Sequence, residues 1–490
     1  RLNNFNMSAS IDFDKYEVVI GLEVHAQLQT ESKLFCGDSA AFGGAPNTHI
    51  SPITLGHPGT LPKLNKRAVE YAIRLGLACE CHIEKENYFA RKNYFYPDLP
   101  KGYQVSQHTA PICVGGRVVI PTADGERAVQ LNRIHMEEDA GKSMHDQDPD
   151  FTMVDLNRAG VPLLEIVTEP DLHSSDEVYA FLTVLRRLVR WVDVCDGNME
   201  EGSMRCDANI SIRLKGETKL GTKVEVKNLN SIRNVKRAVE GEIKRQITLV
   251  ESGGTIVQET RGFDAGSGGS YSLRSKEEAN DYRYFPEPDL APFFFTDEFL
   301  ESIRASLPEL PEALVHKYVQ QYGLSDYDAK VICDDKATAD YFEQVVTQIP
   351  KHKAVANWLL GPVKSTLNEK GIDMTVFPLP AKALAALIQL VEDGKVSFSI
   401  ASSRIFPELL LEPATAPLEI ATRLNLLQDN NADNISPIID EVLNKYPDKV
   451  AEFRKGKKGL MALFVGEVMK ASKGKADPKL TNQLLAEKLK

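Results

Sequence analysis

The sequence predicts an α+β protein, in which a β-rich amino-terminal domain is followed by helices. Three observations indicate this class. Apolar and polar residues alternate over several segments before about residue 295, as in half-buried strands. After the proline-dense segment 281–292, the apolar spacing becomes helical. A chain of 490 residues also exceeds one ordinary core, so several domains are expected.

Composition limits the class of protein further. Hydrophobic residues make up 42% and charged residues 26%, as in soluble globular proteins, and no apolar run approaches the ~20 residues that span a bilayer. The seven cysteines are an odd number and mostly scattered, which indicates a reducing compartment and no disulfide framework. There is no signal-peptide pattern, and the six residues before Met7 are interpreted as an upstream extension or an expression remnant.

Changes in sequence texture predict the domain boundaries. We expect an amino-terminal extension over 1–15, a β-rich domain over 16–295, a helical domain over 296–418 and a tail domain over 419–490. Ser325 is a predicted helix cap, and 380–395 is a predicted amphipathic helix that ends at Gly394. In the tail, short helices are expected to break at Pro447 and at Gly456 or Gly459.

The first predicted strand carries polar groups along one face. In "EVVIGLEVHAQL" (17–28) every second residue from Val18 onward is apolar, so Glu23, His25 and Gln27 share the opposite face. For this segment alone, a solvated face and a functional site explain the pattern equally well. The other segments of the domain are needed to distinguish between them.

Other segments of this domain repeat the pattern. "GSMRCDANISIRL" (202–214) and "KVEVKNLNS" (223–231) predict a hairpin whose polar face includes Asp207, Asn209, Glu225 and Lys227. Further carboxylates lie in 132–142 and 154–172. Several carboxylates with one histidine and interspersed Lys and Arg, without thiolates, favour a hard ion such as Mg²⁺ over zinc. Mg²⁺ held in this way usually serves a phosphate substrate.

A basic loop is available for such phosphates. Arg91, Lys92 and Lys101 lie among tyrosines and phenylalanines that could brace a nucleotide (89–107). The chain has no Walker A sequence, no dinucleotide fingerprint and no assignable nucleophile triad. The cluster Cys79-Glu-Cys81-His82 lacks a second set of zinc partners and is interpreted as structural. The residues alone therefore predict a Mg²⁺-dependent phosphoryl-transfer enzyme outside the P-loop class.

The tail differs in charge from the rest of the chain. The net charge is −11, yet residues 454–490 contain ten Lys or Arg against three acidic residues. This local surplus predicts a partner that carries phosphates, and a solvated helical face is the alternative.

Long motifs give the chain a family resemblance. It resembles the B-subunit family of the aspartyl/glutamyl-tRNA amidotransferases over nearly its whole length. The motifs are "GLEVHAQL" (21–28), "SPITLGHPGTLPKLN" (51–65), "RKNYFYPDLPKGYQ" (91–104), "HMEEDAGK" (135–142), "DLNRAGVPLLEIVTEPD" (155–171), "MRCDANIS" (204–211), "VEVKNLNS" (224–231), "DYRYFP" (281–286) and "FVGEVMKASKGKADPKL" (464–480).

The resemblance implies an activity and its partners. ATP phosphorylates the side-chain carboxylate of Glu-tRNA(Gln) or Asp-tRNA(Asn), and ammonia then displaces the phosphate in a cradle domain similar to glutamine synthetase. A separate amidase A subunit makes the ammonia, and a small C subunit clamps the pair. Bacterial cytoplasm is the expected location, with an organelle left open, and no membrane is expected.

The resemblance also implies roles for individual residues. The implied catalytic residues are Glu23, His25, Asp207 and Glu225. The implied Mg²⁺ ligands are Glu23, His25, Glu137, Glu138 and Glu225. The implied ATP- and phosphate-binding residues are Lys92 and Lys101. The implied tRNA-binding residues are Lys455, Lys457, Lys458, Lys473 and Lys475.

One segment departs from the family pattern. Many members carry a zinc knuckle, Cys-x-Cys followed by Cys-Pro-x-Cys, where this chain has Cys36-Gly-Asp38 and Ser51-Pro-Ile-Thr54. We therefore expect no structural zinc. Two alternatives stay open: a non-catalytic tRNA-binding or assembly subunit, which the intact polar motifs disfavour, and a free-standing ATP-grasp-like or glutamine-synthetase-like ligase, which the basic tail disfavours.

Overall fold

The computed structural model describes residues 12–275, 282–428 and 431–490. The chain forms two compact units, one ending at Leu310 and the other beginning at Pro311. The three-domain division remains a prediction. Most of the predicted extension, and the first residue of the "DYRYFP" motif, lie outside the described residues.

The first unit combines many strands with a few helices. Its strands are β1 (Tyr16–Gln27), β2 (His82–Ile83), β3 (Glu86–Asn87), β4 (Ala90–Asn93), β5 (Tyr103–Ser106), β6 (Cys113–Val114), β7 (Arg117–Thr122), β8 (Gly125–Glu138), β9 (Lys142–Met144), β10 (Met153–Asp155), β11 (Pro162–Thr168), β12 (Met204–Leu214), β13 (Val224–Leu229), β14 (Glu259–Phe263), β15 (Ser270–Ser275), β16 (Phe285–Pro286) and β17 (Phe293–Phe294). Its helices are α1 (Lys66–Ala78), α2 (Ser175–Trp191), α3 (Ile232–Glu251) and α4 (Asp297–Ser306).

One large sheet organises this unit. Its strand order is β15-β14-β13-β12-β1-β11-β8-β5-β4-β16, with β6 and β7 also paired to β8. The strand pairs along this path are antiparallel except β13 and β14, which are parallel. A parallel pair needs a crossover rather than a tight turn, and α3 supplies it. The predicted hairpin over 202–231 is confirmed by the pairing of β12 with β13.

The two faces of the sheet differ because side chains alternate along each strand. On β1, Ile20, Leu22, Val24 and Ala26 are buried in the main apolar core, together with side chains of α1, α2 and α3. The predicted alternation over this segment is confirmed. The opposite face carries the polar residues. The candidate site residues of β1 therefore lie on the side of the sheet away from these helices.

The second unit is helical in its described residues. Its helices are α5 (Pro311–Gln320), α6 (Asp326–Ile332), α7 (Lys336–Gln348), α8 (His352–Trp358), α9 (Lys364–Lys370), α10 (Ala381–Glu392), α11 (Phe398–Ile400), α12 (Phe406–Leu411), α13 (Pro417–Arg423), α14 (Ala432–Lys445), α15 (Pro447–Arg454), α16 (Met461–Ala471) and α17 (Pro478–Lys488). Together the two units form a mixed α+β protein, which confirms the predicted class.

Local signals set several of these helix ends as predicted. The Ser325 side chain accepts a hydrogen bond from the Asp328 backbone and caps α6. Helix α10 ends just before Gly394, whose φ of 68° suits a residue without a Cβ. Pro447 begins α15, where its missing N–H costs nothing.

The last four helices share a small apolar core. It contains Ile439 from α14, Phe453 from α15, Phe464 from α16 and Leu485 from α17, all buried.

Among the described residues, none of the helices has the length and the apolar character that a membrane span requires.

Candidate active site

Register brings the predicted polar residues of β1 and β12 side by side. Glu23 pairs with Asp207, and His25 pairs with Arg205 on β12 and with Glu165 on β11. Asn209 on β12 pairs in turn with Glu225 on β13. Residues that pair in neighbouring strands have their side chains on the same face. One face of the central strands therefore carries a continuous band of charged groups.

The first group in this band is the carboxylate cluster, made of Glu23, Asp207 and Glu225. One carboxylate oxygen from each residue lies within 4.8 Å of the others. The Lys227 ammonium donates to Asp207 at 3.0 Å and lies 3.2 Å from Glu225. The Asn209 amide donates to Glu23 at 3.0 Å. These donors fix the direction in which the carboxylates point.

Electrostatics in the carboxylate cluster favour an added cation. Burial raises the pKa of Glu23, and the charges of Glu165, Glu225 and Asp207 raise it further. Burial lowers the pKa of Lys227, but the charges of Asp207 and Glu225 outweigh it, and the net pKa is raised. Three carboxylates thus share one ammonium, and a second positive charge would stabilise their ionised forms.

The second group is the imidazole cluster, made of His25, Glu137 and Glu165. Its ligand atoms also lie within 4.8 Å of one another. The Nε2 atom of His25 is 3.5 Å from Glu165 and 3.8 Å from Glu137. A second imidazole, His135, approaches the same two carboxylates at 3.3 and 3.6 Å.

Charge also governs protonation in the imidazole cluster. Burial raises the pKa of Glu165, but hydrogen bonds from His135 and His25 outweigh it and hold that pKa well below its usual range. Burial lowers the pKa of His25, yet Glu165 and Glu137 raise it above its ordinary value. The Glu165 side chain is therefore an ionised acceptor shared by two imidazoles.

The donors of both clusters fit a hard divalent cation. Carboxylate oxygens with one imidazole suit Mg²⁺ or Mn²⁺, and neither cluster includes a thiolate ligand. The sequence grouped all the proposed ligands as one set. The structure divides four of them between two neighbouring clusters, with Glu23 and Glu225 in one and His25 and Glu137 in the other, and leaves Glu138 outside both.

The structure places Lys92 and Lys101 on opposite faces of the sheet. Lys92 pairs with Gln104 in the β4–β5 register, and Ser106, two residues on, donates to Glu137 at 3.1 Å. Lys92 therefore shares the face of the imidazole cluster. Burial lowers its pKa, but Glu137 and nearby tyrosines raise it above the ordinary value.

Glu138 and Lys101 form their own ion pair on the other face. Glu138 follows Glu137 directly in β8, so its side chain points the opposite way. It accepts hydrogen bonds from the Lys101 ammonium and from the Val105 backbone. Both residues line a cavity of about 210 Å³ with Lys33. The structure does not bring Glu138 or Lys101 to the two clusters, and their roles stay predictions.

Asp139 joins the polar face to this cavity. It accepts hydrogen bonds from Gln27 at 2.7 Å and Arg205 at 2.9 Å, and it also lines the cavity. Burial raises its pKa, but the Arg205 and Arg158 guanidinium groups and Gln27 outweigh burial and lower it. An ionised Asp139 thus orients Gln27, the third polar residue predicted on β1.

Sequence reasoning assigned no role to Glu165 or His135. Glu165 interrupts an otherwise apolar strand, "PLLEIVT", and a lone carboxylate in such a strand is the signal that could have found it. His135 lies two residues before Glu137 and so shares its face. The signal for His135 was this alternation of side chains along the strand, which a match of motifs does not take into account.

The five predicted tail lysines lie in the turns between the last helices. Lys455, Lys457 and Lys458 are exposed in the turn after α15, and Lys473 is exposed in the turn after α16. Lys475 is half-buried. Lys457 lies 3.1 Å from Glu452, so part of its charge is already paired.

The four positions of the family's zinc knuckle converge without four thiolates. The Thr54 hydroxyl donates to Asp38 at 2.5 Å, and the Cys36 thiol donates to the same carboxylate at 3.3 Å. Burial raises the pKa of Cys36, which favours its protonated form. Burial raises the pKa of Asp38, but the hydroxyls of Thr54 and Ser51 outweigh burial and lower it. Hydrogen bonds thus connect three of the four side chains that metal bonds would connect in a knuckle, namely Cys36, Asp38 and Thr54.

Comparisons of the chain with known proteins identify its family. The GatB/GatE catalytic domain matches residues 18–301, and the GatB domain matches residues 340–489. Three relatives each carry the name of the B subunit of aspartyl/glutamyl-tRNA(Asn/Gln) amidotransferase. That of Thermoanaerobacter sp. (strain X514) is 50% identical over 475 residues, 97% of this chain and 99% of the relative. That of Syntrophotalea carbinolica is 50% identical over the same shares, and that of Geotalea uraniireducens is 51% identical over 478 residues, 97% and 99%.

The fold, the polar face and the catalytic-domain match together define a ligase-type enzyme of the amidotransferase class. The chain belongs to the GatB family. This confirms the resemblance drawn from the sequence motifs.

Proposed function

We propose that this chain activates and amidates the side chain of Glu-tRNA(Gln), Asp-tRNA(Asn) or both, as the B subunit of a tRNA-dependent amidotransferase. A side-chain carboxylate oxygen attacks the γ-phosphorus of ATP, the bond from that phosphorus to the ADP oxygen breaks, and an acyl phosphate forms. Ammonia then attacks the carbonyl carbon, loses a proton and displaces inorganic phosphate. The observation that supports this best is the pair of clusters on one open sheet face.

The clusters are the proposed sites for Mg²⁺. The carboxylate cluster and the imidazole cluster would hold it, and when bound it would neutralise charge on the phosphates. Lys227 and Asn209 orient the carboxylates from the protein side. Lys92, on the same face, offsets the negative charge that builds on the transferred phosphoryl group.

The same proposal includes the partner subunits and the similarity of the first unit to glutamine synthetase. An amidase A subunit supplies ammonia, a small C subunit completes the complex, and the first unit acts as a cradle similar to glutamine synthetase. The non-catalytic alternative is disfavoured because the polar face carries two groups of candidate metal ligands. The small-molecule ligase alternative is disfavoured because the tail carries exposed lysines.

A direct assay tests this function. The reconstituted complex receives Glu-tRNA(Gln) or, separately, Asp-tRNA(Asn), with ATP and either glutamine or ammonium as donor. The proposal expects ATP-dependent formation of Gln-tRNA or Asn-tRNA with both nitrogen donors. Binding of the aminoacyl-tRNA without any amide product would favour the non-catalytic alternative.

Neutralising the tail lysines is expected to weaken tRNA binding. Changing Lys455, Lys457, Lys458, Lys473 and Lys475 to Gln should raise the apparent KM for aminoacyl-tRNA and flatten its salt dependence, because each phosphate contact releases counterions. ATP hydrolysis without tRNA should barely change. KM measured at several salt concentrations checks this.

A charge-matched control uses five exposed lysines that precede the tail, namely Lys330, Lys351, Lys353, Lys364 and Lys370. Their change to Gln removes the same charge from another surface. An unaltered salt slope in the tail variant, or an equal loss in the control, would count against a tRNA contact at the tail.

The protein is expected to fold without zinc. A structural zinc site needs four N, S or carboxylate ligands in a tetrahedron, and hydroxyls stay protonated at neutral pH and bind poorly. Elemental analysis should give well under one zinc per chain, and chelator should leave Tm unchanged. Restoring the knuckle with Asp38→Cys, Ser51→Cys and Thr54→Cys serves as the positive control. Stoichiometric zinc in the unchanged chain, lost together with stability, would show that other ligands complete a site.

A further inference from the structure

A second histidine lies beside the imidazole cluster and is more buried than the first. His135 on β8 pairs with Glu165 on β11, and Glu165 pairs with His25 on β1, so the three residues form one row across three strands. The side chain of His135 is 5% exposed, whereas that of His25 is 19% exposed. His25 is therefore the more accessible imidazole of the row, and His135 is enclosed by protein.

Protein groups engage both ring nitrogens of His135. Its Nδ1 accepts a hydrogen bond from Arg133 Nε at 3.3 Å. An arginine N–H only donates, so the ring proton lies on Nε2. That Nε2 is 3.3 Å from Oε2 of Glu165 and 3.6 Å from Oε2 of Glu137, and it donates toward these carboxylates. A metal ligand needs a free nitrogen lone pair, so His135 acts on the carboxylates and not on a metal.

The two carboxylate oxygens of Glu137 have different neighbours. Oε2 accepts a hydrogen bond from the Ser106 hydroxyl at 3.1 Å and is also the oxygen that His135 approaches. Oε1 lies 3.8 Å from Nε2 of His25. Protein donors thus hold one oxygen of this carboxylate, and the other oxygen lies beside the candidate ligand His25. Hydrogen bonds of this kind fix the direction in which a carboxylate offers its free oxygen to a cation.

We infer that His135 is a positioning residue for the imidazole cluster, which holds Glu137 and Glu165 in the orientation that binds a divalent cation. Its Nε2–H offsets part of the negative charge that the two carboxylates share and restrains their rotation before the cation binds. Residues that contact the ligands and not the metal usually contribute about ten-fold to a hundred-fold to metal affinity. This inference rests on the proposed function, because the cation is the Mg²⁺ of that reaction.

Mn²⁺ binding to the full chain, without tRNA or ATP, tests the inference. The double variant Glu23→Gln with Glu225→Gln removes two ligands of the carboxylate cluster and leaves the imidazole cluster unchanged, so it serves as the background. In that background, His135→Leu is expected to weaken Mn²⁺ binding by about ten-fold to a hundred-fold. His135→Gln keeps an N–H donor near the position of Nε2 and is expected to lose less than about ten-fold. Electron paramagnetic resonance of the free Mn²⁺ ion measures these affinities.

A control variant and an activity measurement separate positioning from packing. His173→Leu, in the same background, removes an exposed imidazole whose Nδ1 lies 2.9 Å from the Val18 carbonyl oxygen, outside both clusters, and should leave Mn²⁺ affinity unchanged. In the chain with both clusters intact, excess Mg²⁺ should restore the activation rate of His135→Leu, because the ligands remain and only their orientation is lost. A packing defect would instead lower the Tm of the metal-free chain without changing the Mn²⁺ affinity of the folded protein.

Other outcomes overturn the inference in separable ways. If His135→Leu binds Mn²⁺ as tightly as the background does, His135 does not position the ligands, and this inference alone fails. If His135→Leu and His135→Gln lose affinity equally, the N–H donor is not what matters, and the inference fails again. If the unchanged chain binds Mn²⁺ but the background binds none, the imidazole cluster is not a metal site, while the carboxylate cluster keeps its proposed role. If the unchanged chain binds no Mn²⁺, the metal sites of the proposed function fail together with this inference.

Discussion

Changing Glu23 to Gln is expected to lower the rate of ATP-dependent activation of aminoacyl-tRNA by about 10²–10³-fold, the usual cost of one electrostatic group in an active site. The amide has nearly the shape of the carboxylate, so the sheet should fold as before. It lacks the negative charge that makes a carboxylate a stronger ligand than an amide for a hard cation. Asp207→Gln would enlarge the side chain, so the shape-conserving companions are Asp207→Asn and Glu225→Gln.

The effect should differ from a loss of substrate binding. In the proposed reaction the carboxylate cluster acts where charge develops, so kcat should fall more than the KM for aminoacyl-tRNA rises. A discontinuous assay of acyl-phosphate formation and amide formation measures both parameters. Circular dichroism and Tm show whether each variant keeps its fold.

Glu17→Gln is the matched control for this experiment. Glu17 lies on the same strand and the same face, but it pairs with Arg213 at 2.7 Å, outside both clusters. The same chemical change there should leave the rate near that of the unchanged protein. Near-normal activation by a cluster variant would show that the residue is not part of the site. An equal loss of rate in Glu17→Gln would show that the losses come from disturbing strand β1 and not from the cluster.

His25 belongs to the strand that contributes to both clusters, so His25→Ala is expected to lower the rate of activation as the carboxylate variants do. Its imidazole contacts carboxylates from β8 and β11, whereas Glu23, two residues earlier, faces β12 and β13. A single strand thus supplies one candidate ligand to each cluster. This explains why one short motif, "GLEVHAQL", carries so much of the sequence signal.

The polar face of β1 was predictable because it depends on one strand alone. Alternation with a period of two places Glu23 and His25 together whatever lies beside them. The partners depend on register, which the chain order does not reveal. Glu165 lies 140 positions from His25 in sequence, yet the two residues pair directly across β1 and β11. No spacing rule connects them.

Parity within a strand could have sharpened the prediction at Glu137 and Glu138. Neighbouring residues in a strand point to opposite faces, so only one of the two can join a cluster on a given face. In the structure, the Glu137 side chain lies on the polar face, and the Glu138 side chain lines the cavity on the other face. The sequence named both as metal ligands because the motif "HMEEDAGK" was treated as a unit.

Removing one buried carboxylate from the back of the sheet is expected to cost the most stability. Glu242, on α3, has a side chain with no exposed surface. It accepts two hydrogen bonds from Arg245, at 2.7 and 2.8 Å, and another from Gln246 at 2.8 Å. Arg261 on β14 approaches it at 3.9 Å. The carboxylate thus ties the crossover helix to the parallel strand pair that supports Glu225.

Glu242→Ala is therefore expected to lower the free energy of unfolding of the first unit by about 3 kcal/mol, because it removes the acceptor of both Arg245 hydrogen bonds and of one Gln246 hydrogen bond. Urea unfolding followed by circular dichroism measures the change. Glu240→Ala, two residues earlier, is the control. Its carboxylate is 44% exposed, and its ion pair with Lys236 is long, at 3.9 Å, so this substitution should cost less than about 1 kcal/mol. The double variant Glu242→Met with Arg245→Met removes donor and acceptor together and should recover part of the loss, since an apolar pair needs no partner. Equal stability of Glu242→Ala and Glu240→Ala would show that the arginines reach solvent freely and that the buried carboxylate does not hold the helix to the sheet.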